Sequence, residues 1–232
     1  MIYKQKIIKA IIYRIYSSLI TFIISFILTQ HFLVSLSIGV LDSVIKIFSY
    51  YLFEVIWSEF TGLSAKPAVI FLTGLSGSGK TTIARALMIK LQKKGVVPVL
   101  LDGDEIRNVI RQTGFDEQSR KNHNLNVGYM ASLLEGQGNF VIVSLISPYE
   151  DTRNIIRGMC KNFKEVYIRT DLKVCMERDS KGLYAKAIKG EIKEFTGISA
   201  PYFPPKNPEV SIDTAALSVQ ESVRKIFNAL KK

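Results

Sequence analysis

From residue 7 to residue 57 the chain is almost continuously apolar; from residue 68 onward, short apolar runs alternate with mixed polar segments. The first region is long enough for two membrane crossings, because a bilayer core of about 30 Å takes roughly 20 apolar residues per helix. Its pattern predicts one helix over about 12–28, a turn at Thr29, Gln30 and His31, and a second helix over about 33–57. Tyr50, Tyr51 and Trp57 suit a membrane interface. A cleavable signal peptide fits poorly, since no small-residue cleavage site follows and a second long apolar run does.

In the second region, residues 68–73, 97–101, 140–145, 164–170 and 209–213 read as short buried strands, the last at an edge. Helical apolar spacing marks 82–91, a helix opening at Glu105, a short one over 171–179 with Asp171 near its cap, and a closing one over 218–230. Cys175 falls on an apolar helical spacing and belongs to the core. Repeated strand–helix units predict an α/β fold with a doubly wound parallel five-stranded sheet. The expected organisation is a transmembrane helical hairpin over 1–60, a linker over 61–67 and a second domain over 68–232.

Charge sharpens this division. The 232 residues carry a net charge of +11, but residues 1–65 hold only five Lys/Arg and three Asp/Glu. Lys4, Lys6, Lys9 and Arg14 precede the first helix and the turn has no Lys or Arg, which places the N-terminus in the cytoplasm. Two crossings return the second domain to the same side, so the expected location is the inner (cytoplasmic) membrane. Asp42 and Lys46 lie well inside the second crossing, four residues apart on one helical face. They read either as a functional intramembrane pair or as a pair buried in a hairpin or oligomer interface. A hydrophobic content of 47% excludes a disordered chain, and two cysteines exclude a disulfide scaffold. The scattered Lys and Arg form no basic stripe, so nucleic acid is not an expected partner; polyphosphate ligands and an anionic leaflet account for the charge.

The first strand leads into Gly74-Leu75-Ser76-Gly77-Ser78-Gly79-Lys80-Thr81, which fits GxxxxGK[ST], and Thr82 continues it. Such a loop curls its backbone N–H groups around phosphate oxygens at a helix N-terminus. Lys80 would reach the β- and γ-phosphates of ATP, and Thr81 would offer a hydroxyl to Mg²⁺. The second strand runs into Asp102-Gly103-Asp104, at the end of the sheet where ligands gather. Asp104 suits the orientation or deprotonation of an acceptor hydroxyl, and Asp102 a water-mediated hold on Mg²⁺. Asp104 also reads as a helix cap. Ser147 has two readings as well: with Pro148, Tyr149 and Glu150 it forms a capping-box pattern, while its hydroxyl falls at the third strand's carboxyl end.

Taken with the phosphate loop, the runs Asp102 to Arg107, Gly114-Phe115, Ile146 to Tyr149, Arg178 to Tyr184, Glu191 to Ile198 and Ala200 to Tyr202 resemble the adenylylsulfate kinases over nearly all of 66–232. The resemblance implies a P-loop kinase fold and MgATP-dependent phosphorylation of the 3′-hydroxyl of adenosine 5′-phosphosulfate (APS), giving PAPS. It further implies that Phe115 and Phe195 sandwich the acceptor adenine and that Arg107 and Arg120 contact the substrate. Ile146 and Ser147 match the substrate-side turn, where the serine is often given as a phosphoserine; direct in-line transfer explains the chemistry without it. Residues 181–195 correspond to a mobile lid, with Lys186, Lys189 and Lys193 facing polyanions. A homodimer is also implied. The chain departs from the family at Asn122-His123-Asn124-Leu125-Asn126, where a substrate-contacting asparagine becomes His123, unless Asn122 or Asn124 shifts into its place, and two arginines become Leu125 and Asn126; it departs again at Glu150, usually basic.

The N-terminal segment resembles a small family of predicted two-helix membrane domains, through Lys9, Tyr13, Arg14, Ser17, Ser18, Thr21, Lys46, Tyr50, Tyr51, Glu54 and Trp57. Phe53 and Val55 depart from it. An anchor of this kind suits a kinase placed near a membrane sulfotransferase or a sulfate-uptake system. Two other readings remain: a phosphate-loop kinase for another nucleotide or small alcohol, and a membrane scaffold that only binds nucleotide.

Overall fold

The computed structural model describes residues 2–61, 66–110 and 114–230, with side chains described from residue 15, excepting 54–61. The chain divides into two units, residues 1–62 and 63–232.

The first unit is a helical hairpin of α1 (Ile2–Thr29) and α2 (Phe32–Thr61). The chain reverses at Gln30, whose φ of 58° ends α1 one residue later than the pattern suggests. Large apolar side chains face outward along both helices, among them Ile23, Leu28, Leu33, Val40, Phe48 and Tyr51. Apart from an edge-on contact of Phe22 with Phe32, whose ring centres lie 5.8 Å apart, the seam between the helices is small and polar. Ser43 donates to Ser18 at 2.8 Å, Thr29 and Ser35 share a 3.0 Å bond, and Gly39 lies against Phe22. Lys46 Nζ sits 2.7 Å from Asp42 Oδ2 as a charge contact and donates to Ser17 at 2.8 Å. The charged pair therefore belongs to the hairpin's own seam. Among the described residues one window, Phe32–Phe53, is long and apolar enough to span a bilayer, and the part of α1 whose side chains are described, Ile15–Thr29, is apolar as well.

The second unit is a five-stranded sheet in the order β2-β3-β1-β4-β5, with every pairing parallel. The strands are β1 (Val69–Thr73), β2 (Val99–Asp102), β3 (Val141–Ser144), β4 (Phe163–Arg169) and β5 (Val210–Asp213). Side chains alternate across the sheet: Ile70 and Leu72 enter one core with Leu87, Ile142, Ile212 and Ile226. Val69 and Phe71 enter the other with Val127, Val141, Val143 and Ile156. Burial on both faces is why these strands are continuously apolar and not alternating. The helices are α3 (Lys80–Gln92), α4 (Gly103–Ile110), α5 (Glu117–Gly136), α6 (Glu150–Met159), α7 (Leu172–Arg178), α8 (Leu183–Ile188) and α9 (Val219–Ala229).

Two local expectations are corrected. α4 opens at Gly103, and the carboxylate serving its first turn is Asp102, which accepts the Asp104 amide at 3.0 Å. Asp104 is thus not the cap. Nor does Ser147 form a capping box: α6 is preceded by Tyr149, without a side-chain cap bond, and Ser147 has a left-handed φ of 44°. A capping residue needs extended backbone, and the tight turn leaving β3 denies Ser147 that conformation. The pattern also gave no boundary for α5, whose middle turns carry Asn122, His123, Asn124 and Asn126, weak helix formers. A capping box does occur at α9, where Ser218 and Glu221 bond reciprocally.

Candidate active site

The phosphate loop connects β1 to α3 along the centre of the sheet. Gly79, the residue before α3, takes φ 100°, a left-handed conformation natural to glycine. Gly74 answers a close approach: a Cβ there would lie 2.6 Å from the Ile168 carbonyl of the neighbouring strand. The loop is braced from behind at the Ser78 carbonyl, which accepts from Thr214 at 2.9 Å and Thr170 at 3.2 Å, while Arg178 donates to Thr214 at 2.9 Å. Tyr184 donates to the Ser76 carbonyl at 3.0 Å. The sequence patterns did not single out Thr170, Thr214 or Tyr184 for this work. Thr170 and Thr214 each follow a strand by one residue, the only local signal they carry.

Lys80 donates to the carbonyls of Gly74 at 3.0 Å and Leu75 at 2.7 Å. Its stem is partly exposed, but its ammonium end is enclosed, and burial lowers its pKa to about 8, opposed mainly by the charge of Asp104. Thr81 donates to Asp102 Oδ2 at 2.9 Å and lies 3.5 Å from the Ser144 hydroxyl. Parallel register brings these together: Asp102 stands opposite Ser144, and Ser144 opposite Leu72 just before the loop. Ser76 and Gly77 are partly exposed in the loop, and Thr82 is exposed on α3.

Beyond the second strand, Asp104 presents an exposed carboxylate that meets Lys181 in an ion pair. Arg107 donates to the Gly114 carbonyl at 2.8 Å and lies 4.7 Å from the centre of the Phe115 ring. Burial lowers its pKa, opposed by Asp104 and reinforced by the nearby charge of Arg120. Arg120 is buried on α5. His123 is also buried, with Nε2 3.1 Å from the Gly103 carbonyl; burial first, then the charge of Arg107, lowers its pKa and favours a neutral ring donating through Nε2. Asn122 is exposed and accepts from Gln118 at 2.9 Å, whereas Asn124 is buried. Phe195 packs edge-on against Tyr184, their centroids 5.0 Å apart. Phe115 and Phe195 make no ring contact with each other. Lys193 is exposed.

The third strand ends in a turn whose carbonyls are all engaged. Ile146 accepts from Thr73 at 2.7 Å, Ser147 from Arg153 at 2.7 Å, and Pro148 from the Phe203 amide at 2.9 Å. The Ser147 hydroxyl is buried and has no hydrogen-bond partner. Beside the loop opens a cavity of about 510 Å³ lined by Leu75, Tyr167 and the 197–202 segment.

A phosphate loop at the centre of a parallel sheet, with a hydroxyl–carboxylate pair behind it and a second carboxylate two residues further along, defines a P-loop phosphotransferase. Residues 66–213 match the adenylylsulphate kinase family, and the chain belongs to it. It is 49% identical over 164 residues to an adenylyl-sulfate kinase of Rippkaea orientalis, covering 70% of this chain and 91% of that one. Its fold resembles the Mycobacterium tuberculosis APS kinase solved with AMPPNP and APS, with a TM-score of 0.69, 36% identity, and coverage of 72% and 99%. A hexameric APS kinase from Thiobacillus denitrificans is 29% identical with a TM-score of 0.55, covering 72% of this chain and 29% of that one. Residues 7–58 match a family described as a predicted membrane protein, DUF2061.

Proposed function

We propose that the chain transfers the γ-phosphoryl group of ATP to the 3′-hydroxyl of APS, yielding PAPS and ADP, from a site anchored at the inner membrane by residues 1–60. The observation carrying this reading is the alignment at the strand ends of Lys80, the Thr81–Asp102 pair and Asp104 in a chain of this family.

The loop 74–79 cradles the phosphates, and Lys80 exchanges the Gly74 and Leu75 carbonyls for phosphate oxygens. Thr81 and Asp102 supply hard oxygen donors that fit Mg²⁺. Mg²⁺ takes few protein ligands and completes its shell with phosphate and water oxygens, and no group of three or more His, Cys, Asp or Glu gathers among the described residues. When bound, the ion neutralises charge on the phosphates. The acceptor oxygen bonds to the γ-phosphorus as the bond to the β–γ bridging oxygen breaks, and the hydroxyl proton passes to Asp104. Lys181 releases Asp104 as the acceptor enters. Phe115 and Phe195 hold the adenine between them, with Arg107, Arg120, Ile146, Ser147 and Lys193 around the rest of the acceptor. Closure of 181–195 then excludes water.

His123 stands where the family usually carries an asparagine, so no side-chain amide is offered there, and its Nε2 is engaged at the Gly103 carbonyl; this favours weaker APS binding or a related nucleotide acceptor as the second reading. We place the kinase domain, 68–232, on the cytoplasmic side after a linker at 61–67, in a homodimer serving a sulfotransferase or sulfate-uptake neighbour. The test is PAPS formation by the full chain with MgATP and APS. Turnover should fall by about 10²–10⁴-fold in Asp104→Ala, the usual worth of a positioned base. ATP turnover without PAPS would transfer the reading to another acceptor; nucleotide binding without turnover would leave the scaffold.

A further inference from the structure

Arg153, on α6, is among the largest fully buried side chains in the protein, with 2% of its surface exposed. Its guanidinium spends its donors on three separate segments. Nη1 donates to the Ser147 carbonyl at 2.7 Å, Nη2 to the Phe203 carbonyl at 2.9 Å, and Nε to Glu165 of β4 at 2.9 Å. Glu165 is fixed in turn by Arg157 at 3.1 Å, and its own amide donates to Glu209, which Arg157 also holds. Arg153 is therefore anchored on its carboxylate side before it reaches either carbonyl.

Both carbonyls belong to acceptor-side segments. Ser147 holds a left-handed φ of 44° that a serine adopts only under constraint. Phe203 follows Tyr202, whose hydroxyl shares a 3.0 Å bond with Thr73 at the root of the phosphate loop. The Phe203 amide returns to Pro148 at 2.9 Å, so the 146–148 turn and the 202–203 segment are joined twice, once directly and once through Arg153. Neither segment sits in a regular element that could hold it otherwise.

We propose that Arg153 is a positioning residue for the acceptor. It fixes the Ser147 turn and the 202–203 segment as one wall at a set distance from the phosphate loop, without touching substrate itself. A planar guanidinium reaches three separated acceptors from three different nitrogens in a fixed plane, whereas a lysine offers all its donors from a single nitrogen. The phosphate loop has a brace of its own, through Thr170, Thr214 and Tyr184, to which Arg153 does not contribute. This inference rests on the APS kinase reading for its kinetic readout only.

The experiment compares the full chain with its Arg153→Lys variant, which keeps the charge beside Glu165 and so avoids an unpaired buried carboxylate. Measured are kcat and KM for APS, affinity for a fluorescent ATP analogue, and amide hydrogen exchange by segment. The expected result is a fall of about 10- to 100-fold in kcat/KM for APS, the scale of a misplacement near 1 Å. ATP-analogue affinity should stay within about twofold, because the loop's bracing is separate, and exchange should quicken at 146–149 and 202–203 alone. An unchanged kcat/KM would overturn the proposal, as would a parallel loss of nucleotide affinity. Should the wild-type chain make no PAPS, the functional reading falls and exchange alone decides: quickening confined to those two segments upholds the positioning role. Exchange that is unchanged, or quickened across the sheet, refutes it.

Discussion

Lys80 is the residue on which chemistry and electrostatics meet most directly. Burial brings its pKa down to about 8, so folding favours its neutral form. Between about pH 8 and the unfolded value of 10.5 the unfolded chain holds a proton that the native chain lacks, and stability rises with pH across that window. Binding has the opposite preference, since polyphosphate wants the ammonium. We expect kcat/KM for ATP to fall as pH rises through about 8, the free-enzyme value. The kcat profile should hold to higher pH, because bound phosphates raise the pKa. Coincident alkaline limbs in the two profiles would refute this. Gly74 offers a second residue-scale test. An added Cβ would press on the Ile168 carbonyl at 2.6 Å, so Gly74→Ala should cost about 1–3 kcal/mol. Thermal melting should register that as a drop of at least about 2 °C; an unchanged midpoint would mean the loop shifts freely.

Among elements, the hairpin carries the least obvious arrangement. Its helices meet through serines, a threonine, Gly39 and the Asp42–Lys46 pair, with one edge-on contact of Phe22 and Phe32, while most of the bulky apolar residues point outward. That inversion is how apolar spans associate in lipid, where small residues and polar groups hold helices together. In a membrane-anchored chain, Asp42→Asn leaves Lys46 uncompensated within the span, at about 2.5–3.5 kcal/mol on insertion scales. We expect a smaller carbonate-resistant membrane fraction for that variant and recovery when Lys46→Gln is added. Equal fractions for all three chains would remove the pair from any role in insertion. The Ser17, Ser18, Asp42 and Lys46 constellation was visible in the sequence as residue types. Which helix each would bond to was not, because the pairing of α1 with α2 fixes it.

At the scale of the whole molecule, the chain combines an outward-apolar hairpin with a phosphotransferase unit whose charged groups converge at one end of the sheet. If the hairpin serves only as anchor, deletion of residues 1–60 should release the protein to the soluble fraction with PAPS formation retained. Fractionation with a parallel kinase assay tests this; activity lost with the hairpin would assign it a part in the site. The order of strands was predicted only as parallel and doubly wound. The actual order, β2-β3-β1-β4-β5, sets Asp102 beside Ser144 and both beside the loop.

The sequence by itself determined the two-part organisation, the five strands and the phosphate loop. These depend on local composition: apolar length, apolar runs, and glycines at fixed spacing before Lys80 and Thr81. It also determined which residue types were available for chemistry, from Asp102 and Asp104 to Phe195. The tertiary structure decided what each one does. It gave the helix-capping duty to Asp102 and left Asp104 facing Lys181, it placed Ser147 in a left-handed turn where the capping-box pattern had suggested a helix start, and it tied His123 to the Gly103 carbonyl. It also recruited Thr170, Thr214 and Arg153, which bond to residues between 6 and 136 positions away. Hydrogen bonds and buried charges depend on which atoms meet in space, and for these residues that is settled by sheet register and helix packing.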